Sequence, residues 1–114
     1  MLSLPEGWRY FLYRPPCDMR KSFDGLQGIV QEYFGETLQP GKVFIFINRQ
    51  RDRLKLLHFD GDGFSLFYKR LEAGRFQLPE GEKGAIERRT LVLILEGIEL
   101  KKVGYRKRYG PKNP

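Results

Sequence analysis

The chain has 114 residues, 40% of them hydrophobic and 31% charged, with nine Phe and six Tyr. That length suits one domain with a modest core, and the apolar content excludes an intrinsically disordered chain. The formal net charge of +7 points to an acidic partner, nucleic acid ahead of an anionic membrane.

The elements follow in chain order. Residues 8–13 are aromatic-rich and end at Pro15-Pro16, which predicts a short strand stopped by prolines. Ser22 is a helix cap with Asp24 in the first turn, and Phe23, Leu26, Ile29 or Val30, and Tyr33 recur at helical spacing until Gly35 closes the segment. Gly25 and Gly28 lower the propensity of that helix and suggest close packing. After the Pro40-Gly41 turn, residues 42–48 form a strand whose core is apolar at every position, the pattern of a central strand covered on both sides. Residues 53–60 and 64–71 are two more strands, joined by Asp60-Gly61-Asp62-Gly63, a hairpin turn in which glycine accepts positive φ. A further short strand is expected at 75–78. Thr90 is a second candidate cap, opening a segment at 91–98 that reads as a helix or a last strand. Strands in succession with tight turns imply an antiparallel meander rather than parallel βαβ units. The domain is expected to occupy residues 1–100, followed by a basic tail at 101–114.

Few residues suit catalysis. His58 is the sole histidine and Cys17 the sole cysteine, which removes paired-histidine metal sites, internal disulfides and thiolate zinc sites. The Asp60–Asp62 loop has Phe64 and Leu71 where a calcium loop needs ligands. A carboxylate cluster of Asp52, Asp60 and Asp62 is the remaining route to metal chemistry, but a hairpin accounts for the Asp-Gly pairs without it. No phosphate-cradling glycine motif occurs. The expectation is a non-enzymatic protein without cofactor, metal or small-molecule substrate. Residues 1–10 do not suggest a signal peptide and no apolar run approaches the ~18 residues that span a bilayer, so a cytoplasmic location is expected.

What remains is cationic. Arg53 and Lys55 alternate with Leu54 and Leu56 and so share the opposite face of their strand. Arg49 and Arg51 lie in the preceding turn, and an antiparallel partner returns Lys69, Arg70 and Arg75 to the same end of the sheet. Such a set suits successive phosphates, and arginine adds bidentate geometry. Lys69-Arg70 beside Phe64, Phe67 and Tyr68 is weakly similar to an RNA-recognition strand, whose aromatics stack on bases, although the glycine spacing of that motif is missing. In the tail, Arg106, Lys107 and Arg108 lie between Tyr105 and Tyr109, a second basic and aromatic group.

Two blocks resemble a known family. Asp18-Met19-Arg20-Lys21 with Phe23-Asp24-Gly25-Leu26 is one. The other runs from Phe46 through Asn48-Arg49, Arg51-Asp52-Arg53, Lys55-Leu56-Leu57 and Asp60-Gly61-Asp62-Gly63-Phe64 to Tyr68-Lys69-Arg70-Leu71-Glu72 and Gly74-Arg75-Phe76. Together with Leu95-Glu96-Gly97-Ile98, this order over residues 8–98 is similar to the TnpB accessory proteins of IS66-type insertion sequences, which are distinct from the RNA-guided nucleases sharing that name. The resemblance implies a bacterial protein, encoded beside a larger transposase, that supports transposition, a form of DNA recombination. It brings no catalytic residues. Gln50 interrupts what is often a continuous arginine run, and His58 stands where an aromatic residue is expected. The resulting expectation is an α+β domain: a meander of four to five strands, one main N-terminal helix and a short C-terminal one. It would bind DNA through Arg49, Arg51, Arg53, Lys55, Lys69, Arg70 and Arg75, extended by Arg20 and Lys21 and by the tail. The alternative is an adaptor that docks on the transposase without touching DNA.

Overall fold

The computed structural model describes residues 4–81 and 84–97. The chain runs β1 (Arg9–Leu12), α1 (Phe23–Ile29) continued by a wider π-helical turn (Val30–Phe34), β2 (Lys42–Ile47), β3 (Arg53–Phe59), β4 (Phe64–Arg70), β5 (Ala85–Ile86) and α2 (Arg88–Glu96). The strands form one five-stranded sheet in the order β4-β3-β2-β1-β5. The architecture is α+β, as expected from the sequence, with one helix on each face.

The all-apolar stretch of β2 explains its place near the middle of the sheet. Phe44 and Phe46 face α1 and join Phe11, Leu26, Val30 and Leu57, whereas Val43, Ile45 and Ile47 face α2 and join Tyr10, Leu12, Leu54, Leu56, Phe76, Leu91 and Ile94. Each of these large side chains contributes about 1.5–3 kcal/mol by leaving water. Both faces are therefore core, and no side chain of β2 beyond Lys42 reaches solvent freely.

Pairing of β2 with β3 and of β3 with β4 is antiparallel. The four-residue connection closes through the Asp60 N–H to the Gly63 carbonyl at 2.9 Å, with Gly61 at φ 108°. One pairing departs from the meander. β1 and β2 are parallel, Tyr10 opposite Val43 and Leu12 opposite Ile45, because α1 carries the chain back across one face before β2 begins. A short strand followed by a helix and a strand satisfies a βαβ connection even when the rest of the sheet is antiparallel.

Three further details differ from expectation. Residues 75–78 form no strand; the Phe76 N–H bonds the Arg51 carbonyl at 2.7 Å and its ring drops into the core at 0% exposure. The fifth strand is β5, which pairs antiparallel with β1. And α2 begins at Arg88 rather than after Thr90, since the chain leaves β5 at an extended Glu87 whose carbonyl accepts from the Thr90 and Leu91 amides at 3.0 and 3.2 Å.

Ser22 does cap α1 by position, with its carbonyl accepting from Leu26 at 2.9 Å, but without a side-chain bond. Gly25 is packed as expected: a Cβ there would meet that of Lys21 at 3.2 Å, whereas Gly28 faces open space. The π-helical turn ends at left-handed Gly35, φ 65°. Widening this turn lets consecutive aromatics both reach the sheet, Phe34 against Phe44 (5.2 Å between centroids) and Tyr33 against Tyr13 (4.7 Å).

Candidate nucleic-acid interface

The end of the sheet at which β2 turns into β3 is built by one side chain. Asn48 Oδ1 accepts from the Asp52 and Arg53 amides, both at 3.0 Å, while its Nδ2 donates to Asp52 Oδ1 at 2.7 Å and to Gln50 Oε1 at 3.3 Å. The Arg51 N–H returns to the Asn48 carbonyl at 3.1 Å, and Arg51 takes φ 62°, left-handed and unusual for a residue with a Cβ. The Leu71 N–H bonds the Asp52 carbonyl at 2.8 Å, tying the segment after β4 to the same loop. The loop is therefore a braced hairpin, and it thrusts Arg49 and Gln50 into solvent.

Strand register then gathers the cations. Arg53 lies directly opposite Arg70, and Leu54 opposite Lys69. Residues facing each other across antiparallel strands share a face, so Arg53, Arg70, Lys55 and Tyr68 line the α1 side, and Lys69 the α2 side. Arg53 Nη1 donates to Tyr68 Oη at 3.4 Å. Arg49, Lys69 and Arg70 are exposed, Arg51, Arg53 and Arg75 half-buried.

Lys55 corrects the expectation that it is a phosphate anchor. It is 5% exposed, and its Nζ donates to the carbonyls of Met19 at 2.8 Å and Lys21 at 2.7 Å, beneath the Tyr68 ring at 4.8 Å from the centroid. Alternation placed it on the correct face, but that face is covered by the segment entering α1. Lys55 is a clamp between that segment and the sheet.

Arg20 is also qualified. Its side chain is 91% exposed but paired with Asp18, Nη2 to Oδ2 at 2.8 Å and Nε to Oδ1 at 3.1 Å. These bonds and the Arg20 backbone amide hold the Asp18 carboxyl down to about 2. A phosphate would have to compete with that carboxylate. Lys21 is exposed beside it. Arg106, Lys107 and Arg108 lie outside the described residues.

Two grooves flank Arg49. The larger, about 790 Å³, runs between Pro16, Cys17, Asp18, Met19 and Arg20 on one wall and Asn48, Gln50, Asp52 and Arg53 on the other. The smaller, about 240 Å³, is lined by Tyr13, Arg14, Arg51 and Leu78 among others. Arg14 escaped the sequence reading because it sits alone before two prolines; the fold brings it to the basic end, where it also donates to the Pro79 carbonyl. Cys17, at the groove wall, is buried, and desolvation raises its thiol pKa.

The carboxylates do not converge. Asp52 and Asp60 flank the two ends of β3 with seven strand residues between them, about 26 Å apart along the strand. Asp60 accepts from Ser65 Oγ at 2.5 Å, the main reason its pKa is lowered. Among the described residues no three His, Cys, Asp or Glu side chains are grouped as metal ligands. His58 packs against Trp8 with centroids 5.8 Å apart. No helix among the described residues is long and apolar enough to cross a membrane.

The larger groove draws Asp18–Arg20 from the first sequence block and residues 48–53 from the second, and the family model described as IS66 Orf2 like protein matches residues 8–105, spanning both blocks. The chain belongs to that family. Members are accessory proteins of insertion-sequence transposition. The chain is 37% identical over 101 residues to an uncharacterized protein of Sinorhizobium fredii (strain NBRC 101917 / NGR234), y4hO, covering 87% of this chain and 88% of that one. A second protein of the same strain, uncharacterized protein y4jC, is 31% identical over 86 residues, 75% of this chain and 74% of its own. No solved structure matches.

Proposed function

We propose that this IS66 Orf2-like protein assists transposition by binding DNA without cutting it, gripping backbone phosphates with the cationic end of its sheet. The observation that carries the reading is the register of β3 and β4. It sets Arg53 opposite Arg70 beside Lys69, with the Asn48-braced loop presenting Arg49 alongside. Like charges directly opposite across two strands weaken a sheet, and an anion between them removes the penalty. Contacts of this kind position a duplex without reading its sequence. The partners are the ends of the element or the complex they form with the separately encoded transposase.

Fluorescence anisotropy with an element-end duplex and a scrambled duplex, titrated across salt, tests the reading. Affinity should fall steeply with salt. Removing one phosphate anchor, by Arg49→Gln, Arg53→Gln or Arg70→Gln, should reduce the log–log slope by about 0.9. Absence of binding to both duplexes at low salt sinks it. The groove between residues 16–20 and 48–53 favours the second reading, a transposase-docking adaptor, which predicts salt-tolerant capture of the transposase without DNA.

A further inference from the structure

Building on the DNA-binding reading above, we infer that the α1-side face of β4 carries a stacking site for an unpaired base, with Tyr68 as the platform and Arg53 and Arg70 as the phosphate pair, so that the preferred DNA is single-stranded or frayed.

Tyr68 is 48% exposed although it sits within a paired strand. A lone exposed tyrosine is ordinary; this one is held. The Lys55 ammonium lies 4.8 Å from its ring centroid, and Arg53 donates to its hydroxyl. Among the described residues Lys55 reaches two carbonyls and the ring, all neutral groups, so its charge is solvated there but not cancelled. The ring thus belongs to a positively charged floor, contacted by Lys55 and Arg53 before any ligand arrives. Such contacts lower the rotamer entropy left to lose on stacking.

The cations stand at the right interval. Arg70 and Tyr68 are two residues apart on one face of β4, about 7 Å along the strand, the length scale of one nucleotide. A phosphate between Arg53 and Arg70 therefore leaves its base over the Tyr68 ring. Phe64, 43% exposed and braced against Phe59 at 5.3 Å, continues the same face about 14 Å away and offers a second ring. A duplex keeps its base faces inside its own stack and cannot use these rings; a single strand can.

The test uses the full chain with labelled oligo-dT, oligo-dA and their annealed duplex at one salt concentration. Oligo-dT should bind more tightly than the duplex. Tyr68→Ala should weaken single-strand binding about five- to hundredfold and duplex binding far less, and Tyr68→Phe, which keeps the ring but loses the Arg53 bond, should keep most of the single-strand preference. Tyr68→Thr, which keeps strand propensity without a ring, serves if the alanine variant melts early. A 2-aminopurine in the strand should be quenched on binding to wild type and not to Tyr68→Ala. Salt-dependent duplex binding with Tyr68→Ala affecting both DNA forms equally, or neither, overturns the stacking site alone. No binding to any of the three overturns the DNA-binding reading as well.

Discussion

Asn48 shows how much one side chain organises. It satisfies two loop amides and orients Asp52, and it does so where the loop must take a left-handed turn at Arg51. Asn48→Ala leaves those amides without their acceptor and should cost about 1–3 kcal/mol in denaturant unfolding. Asp18 offers a pH readout. Its pKa lies near 2 against an ordinary 3.8 because Arg20 bonds the charged form. Since the folded value is the depressed one, the stabilisation is complete above pH 3.8 and is lost as pH falls through about 2. An NMR titration of the Asp18 carboxyl should therefore show a midpoint near 2, and the Arg20→Gln variant should return it towards 3.8.

At the scale of elements, α2 is bound to the sheet by one face only. Leu91 and Ile94 are buried, whereas Leu93 is 62% exposed. Thermal or denaturant unfolding should separate them: Leu91→Ala should cost about 2–5 kcal/mol and Leu93→Ala less than about 0.5 kcal/mol. The β3–β4 ladder carries a different tension. Arg53 opposite Arg70 is a like-charge cross-strand pair, so Arg70→Gln should stabilise the free protein by about 0.2–1 kcal/mol while lowering DNA affinity. A variant that loses stability and affinity together would assign Arg70 a packing role instead. Much of this pairing was legible from the sequence, because the alternation in residues 53–59 and 64–70 and the Asp-Gly turn between them determine register locally. The parallel β1–β2 pair was not, since only the passage of α1 over the sheet decides it.

For the whole molecule, burial on both faces makes the sheet centre the last part to open. Amide hydrogen exchange should be slowest along β2 and the β2-facing edge of β3, and fastest in β5 and the outer edge of β4. Slow exchange at that outer edge would mean that something further covers it. The same two-sided burial explains the candidate site. Arg49, Lys69 and Arg70 stay exposed, and Arg53 half-buried, at the end of the sheet. Lys55, one pair further in, is covered and becomes structural.

Local chemistry was determined by the sequence itself: the apolar run of β2, the hairpin at Asp60–Gly63, the closure of the first helix at Gly35 and the motif order that places the chain in its family. Each depends on residues a few positions apart, whose preferences survive outside the fold. Tertiary structure alone decided that β5 rather than residues 75–78 completes the sheet, that α2 starts at the exit of β5, that Lys55 is enclosed, and that Arg14 and the Asp18–Arg20 pair share one end with the β2–β3 loop. Those outcomes depend on which surfaces cover one another, and alternation along a strand can assign a side chain to a face without saying whether that face meets water or another layer of protein.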